Sequence, residues 1–248
     1  MRTLFLLSVT ALVATACLKR STVGPVAASH NAACTLALDA GDCKAATAHC
    51  DHALEFNEDF PEALVNKGLI AMRCEGDKKS ARELFIKALR YDNESAQAYN
   101  NLGILDLEDK DHGTAEQRFR RALQVNPDYH EARYNLARAY LEMKKAEDAE
   151  KHLRQLLASN PKIADAQNLL GIIRLEAGDL TEALARFDAA VLLVPDHPDY
   201  HFNRGVAYAK AGRLDEAKDE FRSCLSTHPD NTACRHNLDV LLKEPGAQ

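Results

Sequence analysis

A repeat of 34 residues is the feature that most limits how this chain can fold. One column of small residues keeps this interval over four units: Gly103, Ala137, Gly171 and Gly205. Three more columns, of alanine, of a large apolar residue and of proline, keep the same spacing: Ala115, Ala149, Ala183 and Ala217; Phe119, Leu153, Phe187 and Phe221; Pro127, Pro161, Pro195 and Pro229. Four columns in one register predict a stack of like helical units.

Each column has a packing role in a predicted pair of helices. The two small residues let the helices approach, the large residue fills the space beside them, and proline ends the second helix. Tryptophan is absent while alanine and leucine dominate, which favours an all-α fold. Gly68 precedes Gly103 by 35 residues, which suggests one extra residue in the turn at 77–79.

The columns predict six repeats, a capping helix and a short tail. The first repeat departs most from the pattern. The predicted segments are 27–60, 61–95, 96–129, 130–163, 164–197 and 198–231 for the repeats, 232–243 for the helix and 244–248 for the tail.

Residues 134–137 (Tyr-Asn-Leu-Ala), together with Tyr140, Ala149 and Pro161, resemble the tetratricopeptide repeat consensus. This resemblance implies a right-handed superhelical solenoid whose first helices line a concave face. It also implies a scaffold for protein–protein interaction, and not an enzyme. The fold does not name the partner.

The N-terminal segment reads as an export signal. Arg2 precedes a short apolar stretch, and small residues at 14–16 come directly before Cys17. This arrangement resembles the lipobox of bacterial lipoproteins, although Ala14 stands where leucine is usual. We therefore predict a signal peptide at 1–16, lipid on Cys17 and a tether over 17–26. The residues after Cys17 imply the outer membrane, facing the periplasm; an ordinary signal peptide is the alternative.

Six cysteines follow Cys17, an even number for a chain expected in an oxidising compartment. By their positions in the repeat, Cys34 and Cys50 lie where the two helices of the first repeat touch. The positions of Cys43 and Cys74 also allow these two residues to meet. Near the other end, ten residues separate Cys224 from Cys234. These are candidate disulfides, and six buried free thiols are the alternative.

The concave face offers a candidate groove for a partner protein. Apolar residues dominate two columns of the first helices that the packing columns do not use, and two aromatic side chains supplement them. The groove candidates are Leu69, Met72, Ile104, Leu107, Tyr134, Arg138, Leu141, Ile172, Leu175, Phe202 and Val206. The alternative is that the twist of the solenoid buries some of these side chains.

A column of asparagines recurs two residues before the small-residue column: Asn66, Asn101, Asn135, Asn203 and Asn237. Hydrogen bonding between repeats is the favoured role, and clamping of a peptide is the alternative.

No catalytic motif occurs in the sequence: GxSxG, GxxxxGK[ST], HExxH and CxxC are all missing. We predict no enzyme activity, no cofactor and no small-molecule substrate. His49 and His52 flank Cys50, with Cys43 nearby, but the spacing matches no structural zinc site, so no metal is predicted. The net charge of −6 disfavours nucleic acid as a partner.

Six such repeats behind a lipobox resemble the tetratricopeptide pilotins of type IV pilus systems. This resemblance implies an outer-membrane lipoprotein that binds secretin subunits and promotes their assembly into the pore for the pilus, and so supports motility. It rests on architecture, because no motif here is private to pilotins. The alternative is a periplasmic adaptor for cell-wall enzymes or for outer-membrane protein assembly.

Overall fold

The computed structural model describes residues 23–243. The predicted signal peptide, Cys17, the tether up to residue 22 and the tail 244–248 lie outside the described residues. Because the first helix begins at Pro25, the last two residues assigned to the tether are helical. Within 23–243 none of the helices combines the length and hydropathy needed to span a bilayer.

The described residues form thirteen α-helices and no strand, which confirms the predicted all-α fold. Helices 1 to 12 pack as six consecutive pairs, and the thirteenth packs on the twelfth. The helices are α1 Pro25–Asp39, α2 Cys43–Phe56, α3 Pro61–Arg73, α4 Lys78–Tyr91, α5 Ala96–Glu108, α6 His112–Val125, α7 His130–Glu142, α8 Ala146–Ser159, α9 Ala164–Glu176, α10 Leu180–Leu193, α11 Pro198–Lys210, α12 Leu214–Thr227 and α13 Thr232–Lys243.

The turn inside each repeat has one residue with a positive φ. Glycine fills this position in four repeats, as at Gly178 with φ of 81°, because it has no Cβ to clash there. Lys110 and Lys144 hold the same place in repeats 3 and 4, with φ of 64° and 59°. An aspartate then often caps the second helix, as Asp179 does by accepting a bond from the Glu182 amide.

The extra residue of the second repeat lies slightly earlier than the sequence suggested. Asp77 caps α4, as Asp111 caps α6, so both are at the same structural position. However, the Asp77 amide bonds to the carbonyl of Ala71, six residues back, and the Asp111 amide bonds to that of Asp106, five residues back. The insertion therefore falls within 72–76, before Asp77.

The small and large columns meet directly, as their roles required. A Cβ added to Gly103 would lie 2.6 Å from a ring carbon of Phe119, and the glycines of repeats 2, 5 and 6 face phenylalanines equally closely. Repeat 4 holds Ala137 and Leu153 at these two positions, both fully buried. The size of one residue thus matches the space that the other leaves.

Three disulfides join the six cysteines of the described residues. Cys34 bonds to Cys50 with Cα atoms 5.3 Å apart, in the small and large columns of repeat 1. The other two bonds join Cys43 to Cys74 and Cys224 to Cys234. These are the pairs that the sequence positions suggested, and both ends of the stack are cross-linked.

A side chain at the fourth position of a repeat closes the turn before it. In five repeats or repeat-like units this side chain donates a hydrogen bond to the carbonyl six residues earlier: Tyr99 to Asn93, Arg133 to Pro127, Gln167 to Pro161, His201 to Pro195 and Arg235 to Pro229. These bonds satisfy carbonyls of the turn that follows each second helix.

Candidate protein-binding groove

The first helices of the repeats form the inner layer of the solenoid. Contacts join α1 to α3, α3 to α5, α5 to α7 and α9 to α11, while successive second helices do not approach one another to the same extent. A curved stack brings its inner elements together and spreads its outer ones. The candidate groove therefore lies on the first helices, where the sequence placed it.

Most of the predicted groove residues are half-buried. Leu69 and Met72 pack against the core of repeats 2 and 3, and Ile104, Leu107, Tyr134 and Leu141 pack against the core of repeats 3 to 5. Ile172, Phe202 and Val206 likewise pack on core clusters, and Arg138 is exposed. The groove is thus a shallow surface whose side chains also hold the repeats together.

The prediction was wrong for Leu175. Its side chain is only 9% exposed and belongs to a cluster with Phe187 and Ala207, so the next repeat covers it. Phe202 also has a structural partner, because its ring lies 6.0 Å from that of Phe221 in the cluster that Leu241 of α13 completes. Burial by neighbouring repeats, the alternative to an open groove, therefore applies to these two positions in part or in full.

Hydrogen bonds between asparagines join the first helices of repeats 1 and 2, of repeats 3 and 4, and of repeats 5 and 6. We call each junction between two consecutive repeats a step. Asn66 donates to Asn31 over 2.8 Å, Asn135 to Asn100 over 3.0 Å, and Asn203 to Asn168 over 2.9 Å. The favoured structural role is confirmed for these three donors. Asn237 instead bonds to Ala233 within its own helix.

The asparagine pairs divide the solenoid into three blocks of two repeats. The acceptor position carries asparagine in repeats 1, 3 and 5 but Val65, Tyr134 and Phe202 in repeats 2, 4 and 6. Steps between blocks therefore lack the amide pair. Among the steps from α1 to α11, α7 and α9 make the least contact, and Tyr134 lies at that step.

Ion pairs bridge the steps that lack an asparagine pair, as Lys67 with Asp51 and Arg204 with Asp188 bridge two steps that have one. Arg82 of repeat 2 reaches Asp106 and Asp109 of repeat 3. Between repeats 4 and 5, Arg174 pairs with Glu150, and Arg154 pairs with Glu182 at 2.9 Å. The Arg154 hydrogen bond is the main cause that lowers the pKa of Glu182. The blocks are thus joined by ion pairs at the steps where the amide pair is missing.

A cleft of about 430 Å³ opens where α7 and α9 separate. Tyr134 and Ile163 form its apolar part, and Asp128, Glu131 and Asp165 bring carboxylates to it. Burial, with a smaller effect of Asp165, raises the pKa of the Tyr134 phenol, so the phenol stays protonated. The nearby Tyr129 phenol is also protonated, because burial raises its pKa to about 12.

The described residues contain no group of three or more histidine, cysteine or acidic side chains placed to hold a metal ion. Cys43 and Cys50, which the sequence put beside His49 and His52, are both used in disulfides. A disulfide sulfur is not the thiolate that zinc binds.

Family profiles decide the class of the protein. Profiles described as tetratricopeptide repeat match residues 75–123 and 170–231, and another of the same description matches 106–173. Together they span 75–231, more than half of the chain. The chain belongs to the tetratricopeptide repeat family. No curated protein matches the sequence.

Solved structures with a similar fold extend over nearly the whole tetratricopeptide stack. The structure of Pseudomonas aeruginosa PilF superposes with a TM-score of 0.76 at 19% identity, covering 85% of this chain and 96% of that one. PilW, described as a widely conserved type IV pilus biogenesis factor, gives 0.74 at 21% identity, covering 88% and 99%. YrrB, described as having an unusual peptide-binding site, gives 0.58 at 23% identity, covering 75% and 96%.

Sequence reasoning on this tetratricopeptide repeat protein missed the cleft carboxylates. Glu131 and Asp165 share one register position in the first turns of α7 and α9, where acidic residues also stabilise a helix N-terminus. Glu62 and Asp199 hold the same position in repeats 2 and 6. This acidic column is the signal in the sequence, but nothing in it marks the step at which the helices separate.

Proposed function

We propose that this protein is an outer-membrane lipoprotein scaffold that acts as a pilotin. In this proposal the inner groove binds secretin subunits and promotes their assembly into the outer-membrane pore of a type IV pilus system. The observation that carries it is the end-to-end match of the repeat stack to PilF and PilW, of which 96% and 99% are covered. A match over nearly the whole length of both chains favours a shared kind of client more than a match over a few repeats does.

The groove supplies the binding surface in this proposal. The first helices α3, α5, α9 and α11 carry an apolar, only partly buried residue at one register position: Leu69, Ile104, Ile172 and Val206. On α7 this position is the exposed Arg138. A helix or an extended segment laid across the four apolar residues buries the rest of their apolar surface. Lipid on Cys17 holds the groove at the membrane, which raises the effective concentration of a client that inserts there.

The test compares two isoleucines, one on each layer of the solenoid. Ile104 lies on a first helix and Ile86 on a second helix, where it is 38% exposed. We expect Ile104→Asn to reduce secretin multimers in the envelope and the capture of secretin with the anchored protein, while Ile86→Asn leaves both unchanged. Thermal unfolding of each variant separates a loss of binding from a loss of fold.

A deletion strain provides the decisive control. If secretin multimers form normally without this protein, the pilotin proposal is wrong. If capture brings down cell-wall enzymes or components of outer-membrane protein assembly in place of a secretin, the adaptor function replaces it. If a Cys17→Ala variant still supports normal assembly of secretin multimers, the lipid anchor is not needed for the function.

A further inference from the structure

The cleft between repeats 4 and 5 collects three carboxylates that form no ion pair among the described residues. Within residues 23–243, no lysine, arginine or histidine nitrogen lies within 4.0 Å of a carboxylate oxygen of Asp128, Glu131 or Asp165. By contrast, the outer-layer acids Glu116, Glu150, Glu182 and Glu220 all have such partners. The cleft therefore holds three carboxylates without an ion-pair partner. His130 also lines it, and its Nδ1 donates to the backbone carbonyl of Asp128 and not to a carboxylate.

Buried groups support these carboxylates. The Tyr200 hydroxyl donates to Asp165 over 2.5 Å, which fixes that carboxylate and leaves its second oxygen free. Asn135 also lines the cleft and is 8% exposed. Its Nδ2 donates to Asn100, and among the described residues no donor bonds to its Oδ1. An amide oxygen without a protein donor, on a side chain that is otherwise buried and lines the cleft, suits a ligand that brings N–H groups.

The walls of the cleft suit a long apolar stem. The Tyr134 ring and the Ile163 side chain lie among the acceptors, so the cleft combines an apolar surface with charged groups at its border. Lysine and arginine side chains have this character, a hydrocarbon stem with a cationic end that donates several hydrogen bonds. The face of a tyrosine ring also attracts a cation.

We propose that the cleft between α7 and α9 binds a lysine or arginine side chain of the partner protein and so anchors a basic segment in the groove. The ammonium or guanidinium group lies among Asp128, Glu131 and Asp165, and the stem lies against Tyr134. This inference rests on the proposed function of the groove as a protein-binding surface, and it adds the chemistry of the segment.

Other occupants fit less well. An anionic segment is repelled by three carboxylates that form no ion pair. A bare metal ion needs ligands grouped closely around one point, and no group of three acidic, histidine or cysteine side chains within 23–243 meets that need. An apolar side chain alone leaves the acceptors without donors.

A direct test uses small probes whose binding does not depend on knowing the client. The oxidised, 15N-labelled chain is titrated with Nα-acetyl-lysine N-methylamide and, as the matched control, with Nα-acetyl-norleucine N-methylamide, which keeps the stem but lacks the ammonium group. We expect the lysine probe to give saturable shifts in the amides of 128–135 and 163–166. The norleucine probe should shift them little, and 0.5 M salt should weaken the lysine effect.

Variants locate the binding. Glu131→Gln with Asp165→Asn should weaken the lysine probe by about threefold to tenfold, since each exposed ion pair contributes little. Asp199→Asn is the matched control, because Asp199 has the same register position one repeat later and is outside the cleft. Equal binding of the two probes, or shifts spread over the surface without saturation, would overturn the inference.

The two proposals fail separately. If the lysine probe does not bind while Ile104→Asn still abolishes secretin capture, the inference is wrong and the proposed function stands. If the probe binds in the cleft but no secretin is captured, the proposed function is wrong and the groove takes a basic segment of another protein.

Discussion

Repeats 1 and 3 solve the same packing problem by different means. In repeat 3 the two helices meet through Gly103 and Phe119, and the fit depends on the absence of a Cβ. In repeat 1 the same two positions are Cys34 and Cys50, joined by a covalent bond. Within residues 23–243, repeat 3 has neighbours on both sides and repeat 1 has only one, so less apolar contact holds repeat 1 in place.

The comparison extends to the far end of the stack. Cys224 bonds to Cys234 and ties α12 to α13, whereas the sequence has no cysteine between 74 and 224. Covalent links therefore lie where neighbours are missing, and packing alone holds the middle. Disulfides persist in oxidising compartments, which is where the predicted export signal would deliver the chain.

The largest expected effect comes from removing the bond of repeat 1. Cys34→Ala with Cys50→Ala should destabilise that repeat by about 3 kcal/mol, the contribution of a cross-link of this span. Hydrogen exchange should then show that α1 and α2 lose protection while α5 to α8 keep theirs. If protection falls evenly along the chain, repeat 1 is not an independent unit and the comparison fails.

An intermediate effect is expected from crowding the central packing. Gly103→Ala puts a methyl group 2.6 Å from the Phe119 ring and should cost about 1–3 kcal/mol in the free energy of unfolding, measured in urea. Gly113→Ala is the matched control, because its Cβ meets only one atom, 3.9 Å away. That change should be neutral or stabilise the helix by up to about 1 kcal/mol.

Repeat 4 shows how the crowding is relieved. It carries Ala137 with Leu153, so Gly103→Ala combined with Phe119→Leu recreates a pair that the protein already uses. The double variant should lose less stability than the sum of the single variants, with a coupling of about 0.5–3 kcal/mol. If the two losses of stability simply add, the size of the residue in the small column does not determine which residue fits in the large column.

The smallest expected effect concerns the turns within central repeats. Lys144→Gly should stabilise the protein by about 0.5–1 kcal/mol, because φ of 59° strains a residue with a Cβ and suits glycine. The reverse change, Gly178→Lys, places lysine at φ of 81° and should destabilise by a similar amount. Thermal unfolding of both variants tests the pair. Changes of the same sign would show that the lysine side chain has a role beyond the turn.

Much of this fold could be predicted because a repeat fixes many residues at once. Cys34 occupies the small-residue column and Cys50 the large-residue column, so the sequence alone predicted that they touch. The bonds that close the turns between repeats were missed, because Tyr99, Arg133, Gln167 and His201 share no residue type. They share only the ability to donate a hydrogen bond at one position.

The groove was harder to predict than the fold. Register correctly placed Leu175 on a first helix, yet its exposure depends on how closely the next repeat approaches, and that distance varies from step to step. The alternation of asparagine with Val65, Tyr134 and Phe202 controls part of that variation. It has a period of two repeats, so a search for a 34-residue interval does not detect it.

The bond between Cys224 and Cys234 also affects what the molecule does with copies of itself. A solenoid is an open array, and an uncovered end face resembles the face that the next repeat would supply. Leu241 of α13 completes the cluster around Phe221, and the disulfide keeps that helix attached. Within the described residues this end of the stack has a fixed cover, so the face around Phe221 offers no template for head-to-tail growth into filaments.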